Sequence, residues 1–371
     1  MNISTDTLKN KKDWRDFLKL PWSIYKNNQY WVPPLLAEVY ETLDTEKNPF
    51  WKHAKREIFL ARKRDNAVGR IVAIVDDNHN DFHDENTGFF GFFECISDME
   101  VAQALWDTAK KWLARSGMKI MRGPVNPSMN DENAFLLEGF DKPPTILMPY
   151  TQPYYIDLAE RYGFKKAKDL YAFIKYAKDG IPPRIEKMIN RIKKRTNVKV
   201  RPFSMKEFDR DAQFLKDIYN DAWEKNWGFV PMTNDEMDAT GKKLKQFIEP
   251  ELVLFAEIDG KPVAVTVTVP DINQVLKKLN GRLGPIEMLK FLFYKRKVTG
   301  VRSLIGGVMQ EYRETGIIAV LYYETEKANL RLGYEWCELG WNLEDNDLIN
   351  RFDTAIGGKL YKKYRIYEMK I

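Results

Sequence analysis

Hydrophobic and polar residues follow one another along this chain in two patterns, one typical of helices and one typical of strands. Apolar residues three and four positions apart predict helices, and short β-branched or aromatic runs between turn signals predict strands. The polar stretch 76–86 is predicted to be a turn. The elements predicted for the first half are, in order, two N-terminal helices, strands over 57–63, 68–75 and 88–95, a helix over 99–117, a strand over 118–121 and a helix–strand pair over 154–176.

The second half repeats this mixture of strands and helices. The predicted elements are, in order, strand 198–203, helices 208–223 and 235–247, strands 252–258 and 262–270, a helix-forming insertion over 274–297, strand 301–309, helix 319–332, strand 334–343, helix 347–356 and a strand near 364–369. Strands and helices that alternate twice over predict an α/β (α+β) fold, with a mixed sheet covered by helices on both faces in each half.

Chain length and one amphipathic segment predict where the two halves meet. A single hydrophobic core seldom grows past about 250–300 residues, so 371 residues predict two domains, over 1–180 and 181–371. The connecting segment 181–196 is an amphipathic helix pattern whose apolar side includes Ile185, Ile189 and Ile192. We expect it to pack on the second domain. Binding to an anionic membrane surface or to a nucleotide phosphate is the alternative for its basic side.

Composition and charge exclude several classes of protein. The chain has 59 Lys and Arg against 53 Asp and Glu, and a net charge of +6 is too dilute to predict nucleic-acid binding. Cys95 and Cys337 are too far apart for metal-ligand spacing or a disulfide framework, and no metal is expected; a site on His79 and His83 is the less favoured alternative. The polar first residues, and apolar runs no longer than 288–294, lead us to expect a cytoplasmic protein.

The run from Gly307 to Ile318, GVMQEYRETGII, carries the strongest signal for chemistry. It leaves a predicted strand and opens a predicted helix. A turn that contains glycine at this point places backbone N–H groups at a helix N-terminus, where unpaired donors and the helix dipole attract phosphate. Gly316 lets the backbone approach a ligand closely, and Arg313 adds a fixed positive charge. These features predict a site for a phosphate-bearing ligand.

This run resembles the acyl-CoA-binding signature of the GNAT acyltransferase superfamily. The residues in register with the signature are Val308, Glu311, Tyr312, Arg313, Gly316 and Ile317, whereas Gln310 replaces a proline and Ile318 replaces the final small residue. The resemblance implies two GNAT-like acyl-CoA N-acyltransferase domains in tandem, with acetyl-CoA or a longer acyl-CoA as co-substrate. The cofactor-binding residues that it implies are Gly307, Val308, Met309, Gln310, Arg313, Glu314, Thr315, Gly316, Ile317 and Asn346.

The resemblance also indicates where a general acid would stand. Asp353 occupies the position at which a tyrosine of the superfamily commonly protonates the leaving thiolate. A carboxyl group with an ordinary pKa near 4 is ionised at neutral pH and would be a poor acid unless it were buried. Tyr361 and Tyr364 lie just beyond and are the alternative candidates, with a role as core or surface aromatics as their other interpretation.

The first half resembles the superfamily more faintly, in the helix and strand over 155–176. Its phosphate loop departs from the family pattern, because the chain reads ECISDMEVAQAL where glycines would cradle the cofactor. Ser97 and Glu100 have the spacing of a capping box, which would fill the helix N-terminus with the helix's own side chains, and Asp98 adds negative charge. The first domain is therefore predicted to be degenerate, and the second to hold the CoA.

Two loops are candidates for an acceptor or acyl pocket. In the first half, small polar residues and tyrosines could orient a polar ligand, or could be ordinary turn and capping residues. These are Asn126, Ser128, Asn130, Asp131, Tyr150, Tyr154 and Tyr155. In the second half, the aromatics of a helix–helix connection could line an apolar substrate or could close the core. These are Trp223, Trp227 and Phe229.

The resulting functional prediction is an N-acyltransferase that moves an acyl group from acyl-CoA to the amine of a small molecule or lipid, by direct attack in a ternary complex. Tandem GNAT architecture also occurs in protein N-myristoyltransferases and mycothiol synthase, and bacterial ceramide synthases are a further resemblance. The aromatic content and the basic connector suit a lipidic amine and contact with a membrane surface. Two alternatives stay open: a non-catalytic CoA-binding or ligand-binding protein, and an aminoacyl-tRNA-dependent transferase.

Overall fold

The computed structural model describes residues 3–245 and 248–371, which form two compact units. The first unit contains the described chain up to Leu170 together with Val275–Leu292 and Lys362–Ile371. The second unit contains Tyr171–Gln274 and Phe293–Tyr361. The units are therefore discontinuous in sequence, unlike the contiguous halves expected from chain length, since an insertion and the C-terminal segment of the second half belong to the first unit.

The first half of the chain contains nine strands and five helices within its described residues. Its strands are β1 (Ile3–Thr7), β2 (Ala54–Lys63), β3 (Asn66–Asp76), β4 (Thr87–Cys95), β5 (Ile120–Gly123), β6 (Val125–Asn126), β7 (Glu132–Asn133), β8 (Phe135–Glu138) and β9 (Lys165–Tyr176). Its helices are α1 (Lys11–Ile24), α2 (Leu36–Leu43), α3 (Asp77–His83), α4 (Met99–Arg115) and α5 (Tyr154–Tyr162).

The second half contributes the remaining elements. Its helices are α6 (Pro183–Thr196), α7 (Phe208–Trp223), α8 (Asn234–Leu244), α9 (Asn273–Leu279), α10 (Pro285–Lys295), α11 (Ile317–Arg331) and α12 (Asp347–Ala355). Its strands are β10 (Lys199–Pro202), β11 (Val253–Ile258), β12 (Lys261–Pro270), β13 (Gly300–Val308), β14 (Trp336–Leu343) and β15 (Lys359–Lys370). The last predicted residues of the helix over 235–247 lie outside the described residues.

The sheet of the first unit is mixed. Its strands are hydrogen-bonded in the order β1-β2-β3-β4-β5-β15, and only the β4–β5 pair is parallel among the pairs of this order. Helix α4 covers one face, because its apolar residues recur at helical spacing and are buried: Val101, Ala102, Leu105, Trp106, Ala109 and Leu113. They join the aromatic side chains of β4 and the loop residue Phe164 in one hydrophobic core.

The sheet of the second unit is also mixed. Its strands follow the order β14-β13-β12-β11-β10, in which β13 and β14 are parallel and the other pairs are antiparallel. Ile185, Ile189 and Ile192 of α6 are buried with Ala319 and Val320 of α11. The predicted packing of the connector helix on the second unit is therefore confirmed, as is the predicted α/β class with a mixed sheet in each half.

Two predictions for the first half were wrong. The stretch 76–86 contains helix α3, since the Asp76 carboxylate accepts a hydrogen bond from the Asn78 N–H and starts a helical turn. His79 is buried on this helix, and burial, more than the neighbouring His83, lowers its pKa to about 4, so that its ring is neutral. Within the described ranges, no group of three or more His, Cys, Asp or Glu residues could hold a metal ion.

The second wrong prediction concerns the cap of α4. The N-cap is Asp98, not Ser97: the Asp98 carboxylate accepts hydrogen bonds from the Glu100 and Val101 N–H groups and pairs with Lys63. The conclusion drawn from the predicted box is unchanged, because a side chain of the chain itself still occupies this helix N-terminus. Among the described residues, no helix is long and apolar enough to cross a membrane.

Candidate functional site

The two parallel strands of the second unit separate partway along their length. β13 pairs with β14 from Gly300 to Ser303, and this pairing ends opposite Leu339. In the ladder with β12, the partners skip from Ser303 to Ile305, so that Leu304 is an extra residue in β13. Such a β-bulge bends the strand that carries it. The C-terminal ends of β13 and β14 therefore enclose a wedge-shaped opening, which we call the β13–β14 wedge.

Glycine is required where β13 borders this wedge. A Cβ atom on Gly306 would lie 2.5 Å from the hydroxyl oxygen of Tyr322 on α11. A Cβ atom on Gly307 would lie 2.3 Å from the indole ring of Trp223 on α7. Both distances are far shorter than van der Waals contact, so these two aromatic side chains lie directly against the strand backbone.

The predicted aromatic cluster forms on this side of the second unit. The ring of Trp223 stacks on Tyr219 with a centroid distance of 4.9 Å, and Phe229 lies 5.6 Å from the same Tyr219 ring. Phe229 is buried, whereas Trp223 and Trp227 are half-buried. Phe229 thus belongs to the core, whereas the two indoles stay partly exposed.

The predicted phosphate loop is a tight turn at the start of α11. Residues 310–315 form a short 3₁₀ helix, and Gly316 follows with a φ of +80°, a conformation that favours glycine. A Cβ atom there would also lie 2.8 Å from Ile192 of α6. Gly316 offers no side chain as a cap, and the Thr315 hydroxyl reaches the Ile317 N–H at 3.4 Å, near the limit of a hydrogen bond. The N-terminus of α11 is therefore nearly uncapped.

Basic side chains surround this turn. The guanidinium group of Arg195, at the end of α6, donates a hydrogen bond of 2.9 Å to the Thr315 carbonyl oxygen. Arg313 donates one of 2.6 Å to the Ala222 carbonyl oxygen and is otherwise exposed. Cations beside an uncapped helix N-terminus suit an anionic ligand. Arg195 was not among the predicted site residues. The signal for it was the basic side of the connector helix, for which binding to a nucleotide phosphate was an alternative.

Three other residues of the predicted cofactor set hold the turn in place. Val308 pairs with Ala264 of β12, and the Met309 N–H donates to the Val263 carbonyl oxygen at 2.9 Å. The Gln310 N–H donates to the Asp221 carboxylate at 2.6 Å, which ties the turn to α7. Glu314 is exposed, and Asn346 lies apart from the turn as the N-cap of α12.

Asp353 is the one predicted acid of the second unit whose carboxyl group is buried without a charged partner. The Asn342 side-chain amide donates a hydrogen bond of 2.8 Å to its Oδ2 atom, and Oδ1 has no hydrogen-bond partner among the described residues. Burial raises the pKa of Asp353 to about 7, against the opposing effect of Asn342. The Asp353 carboxyl group is therefore buried, which is the condition under which it could act as an acid at neutral pH.

Tyr322 stands beside Asp353 and was missed by sequence reasoning. Burial, and then the Asp353 carboxylate, raise the pKa of its phenol, which stays protonated at neutral pH. Ser303 and Cys337 lie close by where the two strands part, and burial raises the pKa of the Cys337 thiol to about 12. A cleft at this point is lined by these three side chains and by Asn329, whose buried Oδ1 atom has no hydrogen-bond partner in the part of the chain that the structure describes.

The two alternative acids have other surroundings. The Tyr361 hydroxyl donates a hydrogen bond to Glu338, whose carboxylate also lies 3.2 Å from the Arg302 guanidinium group. Tyr364 belongs to the first unit, where it is fully buried and pairs with Leu136 of β8. Asp353 is fully buried, and its Oδ1 atom has no hydrogen-bond partner among the described residues.

The first unit has a comparable opening, but its own side chains fill it. β4 pairs with β5 only from Thr87 to Phe89, and the ladder with β3 is irregular near Phe92. The Asn126 side chain accepts a hydrogen bond of 2.5 Å from the Phe92 N–H, and the Tyr155 hydroxyl accepts one of 3.1 Å from the Cys95 N–H. We call this closed opening the β4–β5 wedge.

The remaining polar residues of the predicted acceptor loop bond to their neighbours. Ser128 donates to the Asp131 carboxylate at 2.6 Å and accepts from the Asn130 N–H at 3.1 Å, as in an ordinary turn. The Tyr150 hydroxyl donates to the Phe140 carbonyl oxygen, and the Tyr154 hydroxyl donates to the Cys95 carbonyl oxygen. These contacts account for the loop structurally.

Comparison with known proteins gives the class of the fold. Over its whole length the chain superposes on a tandem GNAT protein from the clavulanic acid biosynthesis pathway, with a TM-score of 0.60 at 12% identity and 98% coverage of that chain. A GCN5-related N-acetyltransferase from Sphaerobacter thermophilus superposes with a TM-score of 0.56 at 12% identity over 99% of this chain and 95% of its own. The predicted tandem GNAT fold is thus confirmed.

Sequence comparison narrows this class. No family model matches the chain. It is 35% identical to protein YghO of Escherichia coli over 98% of this chain and 95% of that protein. It is 33% identical to the bacterial ceramide synthase of Caulobacter vibrioides over 99% of this chain and 97% of that protein. The chain belongs to the family of these two relatives.

Proposed function

We propose that this protein transfers an acyl group from acyl-CoA to the primary amine of a lipidic acceptor, such as a long-chain amino alcohol. The observation that carries the proposal is the β13–β14 wedge, which has a nearly uncapped helix N-terminus flanked by Arg195 and Arg313 at one end and the buried Asp353 nearby. The lipidic acceptor is supported by the ceramide synthase relative, which matches along nearly its entire length.

The second unit offers groups for each part of a CoA thioester. The N–H groups at the start of α11 and the two arginines suit the pyrophosphate. The pantetheine arm would lie along the end of β13 in the β13–β14 wedge, where its amides could pair with backbone groups. The half-buried Trp223 gives an apolar surface for a chain longer than acetyl. No metal is part of this proposal.

The proposed reaction is a direct displacement. The amine nitrogen attacks the thioester carbonyl carbon, and the developing oxyanion accepts a hydrogen bond from a backbone N–H of β13 beyond the bulge. The C–S bond breaks as the C–N bond forms, and the thiolate takes the proton of Asp353. Asp353 then regains a proton from the positively charged amide nitrogen, directly or through water, so that the products are the amide and free CoA. The Asn342 side-chain amide, which donates to Oδ2, stabilises the Asp353 carboxylate between these two steps.

The proposal is tested in two stages. Calorimetry with acetyl-CoA and palmitoyl-CoA measures binding, and release of free thiol is then followed with a long-chain amino alcohol and with glucosamine as acceptors. We expect tighter binding of palmitoyl-CoA and thiol release only with the long-chain amine. Binding without thiol release above the acceptor-free rate would favour the non-catalytic alternative, and binding of neither thioester would overturn the proposal.

A further inference from the structure

Helix α10 exposes apolar side chains on the face that a helix of a globular protein normally makes polar. Ile286, Leu289 and Phe293 recur at helical spacing and are 66%, 70% and 57% exposed, and the adjoining Met288 and Leu292 are 44% and 56% exposed. We call these five side chains the α10 face. No residue of α10 is buried. Exposed apolar side chains in a contiguous group mark a surface that binds another apolar phase or molecule.

The opposite side of α10 is half-buried. At 100° per residue, Glu287, Phe291 and Tyr294 fall on that side, whereas Lys290 and Lys295 border the α10 face. The Glu287 carboxylate accepts a hydrogen bond from the Gly284 N–H at 3.2 Å and so serves its own helix N-terminus. Most apolar side chains of α10 therefore lie on its exposed side.

The segment before α10 is firmly held in the first unit. Val275 and Leu279 of α9 are buried, and the Trp22 indole N–H donates to the Asn280 side chain at 2.9 Å. The Leu36 N–H donates to the Gly281 carbonyl oxygen at 3.0 Å. The exposed helix α10 thus begins directly after a segment that is packed in the first unit.

The charges around α10 indicate the chemistry of its partner. Between residues 281 and 298 the chain has one acidic residue, Glu287, and five basic ones, which are Arg282, Lys290, Lys295, Arg296 and Lys297. The Lys297 ammonium group lies 4.4 Å from the ring centroid of Phe293, at the edge of the α10 face. Apolar side chains bordered by cations match an anionic lipid surface, in which acyl chains lie beneath phosphate groups.

We propose that α10 inserts its apolar face into the headgroup region of an anionic phospholipid membrane and lies in the plane of the surface. An α-helix of 11 residues is about 16 Å long, well short of the roughly 30 Å that spanning would require. Binding of this kind does not depend on the proposed acyl transfer. It would place the enzyme at the phase that holds lipidic amines.

The experiment is co-sedimentation of the full chain with vesicles of phosphatidylcholine alone or mixed with phosphatidylglycerol. We expect the wild type to bind the mixed vesicles and to lose binding as salt rises from about 0.1 to about 0.5 M. The variant Leu289→Glu/Phe293→Glu should bind at least about tenfold more weakly. The control Phe82→Glu/Met205→Glu, which alters exposed apolar residues elsewhere, should bind like the wild type.

Two further measurements separate the other outcomes. Analytical ultracentrifugation tests the alternative occupant, a second copy of the chain: a wild-type dimer that the Leu289→Glu/Phe293→Glu variant abolishes, with no vesicle binding, would overturn the proposal, as would equal vesicle binding by the wild type and this variant. Amide formation from a long-chain amino alcohol supplied in neutral detergent micelles should be unchanged in the variant. Vesicle binding without any transferase activity would overturn the proposed function and leave the membrane proposal supported.

Discussion

The β13–β14 wedge and the β4–β5 wedge have the same backbone plan and different contents. In each, two parallel strands separate after a few residue pairs, next to an irregularity in the adjoining antiparallel ladder, and a helix follows the first strand. Asn126, Tyr155 and Asp98 occupy the N–H groups of the first opening and of its helix. In the second opening, glycines border the strand and start the helix.

The difference lies in how each unit pairs the backbone N–H groups of its opening. A backbone N–H group that binds a ligand must be paired in some other way once the ligand is gone, because an unpaired buried donor is costly. The first unit satisfies its N–H groups with its own side chains, and its aromatic residues complete the core. The same contacts that stabilise it fill the β4–β5 wedge.

The largest expected effect is a loss of turnover on substitution of Asp353, the proposed general acid near the β13–β14 wedge. Asp353→Asn keeps the shape of the side chain and removes its proton, so kcat should fall about 100- to 1000-fold with little change in acyl-CoA affinity. The matched control is Asp347→Asn on the same helix, whose carboxylate is exposed and pairs with Arg351. Thiol-release kinetics check this, and a kcat for Asp353→Asn within about threefold of wild type would remove Asp353 from the mechanism.

The next effect concerns binding at the phosphate loop. Gly316→Asp places a negative side chain where phosphate is expected, and acyl-CoA affinity should fall by about a hundredfold. Gly333→Asp is the control, since Gly333 follows the other end of α11, has a similar φ of +82° and has open space around it. Calorimetry compares the two variants. Equal losses would mean that backbone strain, not the loop, causes the effect.

A third effect is on stability and depends on pH. The folded pKa of Asp353, about 7, lies above its unfolded value near 3.8, so the native state binds this proton more tightly. The stabilisation is complete below about pH 4, declines as pH rises and is lost above about pH 7. The unfolding free energy of Asp353→Asn minus that of the wild type should therefore increase by about 2–4 kcal/mol from pH 4 to pH 8. Urea unfolding at both values tests this; a pH-independent difference would contradict it.

The smallest expected effect is on stability and concerns the α4 cap beside the filled β4–β5 wedge. Asp98→Ala removes the α4 cap and its pairing with Lys63, at a cost of about 1 kcal/mol in unfolding free energy. Acyl-CoA affinity should not change, because the β4–β5 wedge is filled. Denaturation and calorimetry of the same preparation measure both quantities. A change in affinity of more than about threefold would show that the first unit takes part in CoA binding.

Most of the elements could be predicted from the sequence, because their apolar periodicity is strong. The helix predicted over 99–117 is α4, and the strands predicted over 68–75 and 88–95 lie within β3 and β4. The polar stretch that became α3 was misjudged, since a short helix needs only a good cap and few apolar contacts. Asp98 was recognised as a charge but not as the cap.

The site was predictable only where backbone conformation demands a particular residue type. Gly316 and the turn around it could be found because a positive φ favours glycine. The pKa of Asp353 could not, because it depends on burial that arises when α12 packs on the sheet. Tyr322 shows the same limit: the periodicity of α11 does not reveal which of its side chains meets Gly306 of β13.

The first unit includes the segment Lys362–Ile371, and this has a consequence for biosynthesis. At one of its edges, β5 pairs with the end of β15, from Lys370 opposite Ile120 to Tyr367 opposite Gly123. The ribosome makes β5 well before it makes β15. Until β15 has been made, this edge of β5 is open, which is a known route to misassembly. The N-terminal half therefore cannot mature on its own during synthesis, and a gene cut at codon 180 would not yield a complete first unit.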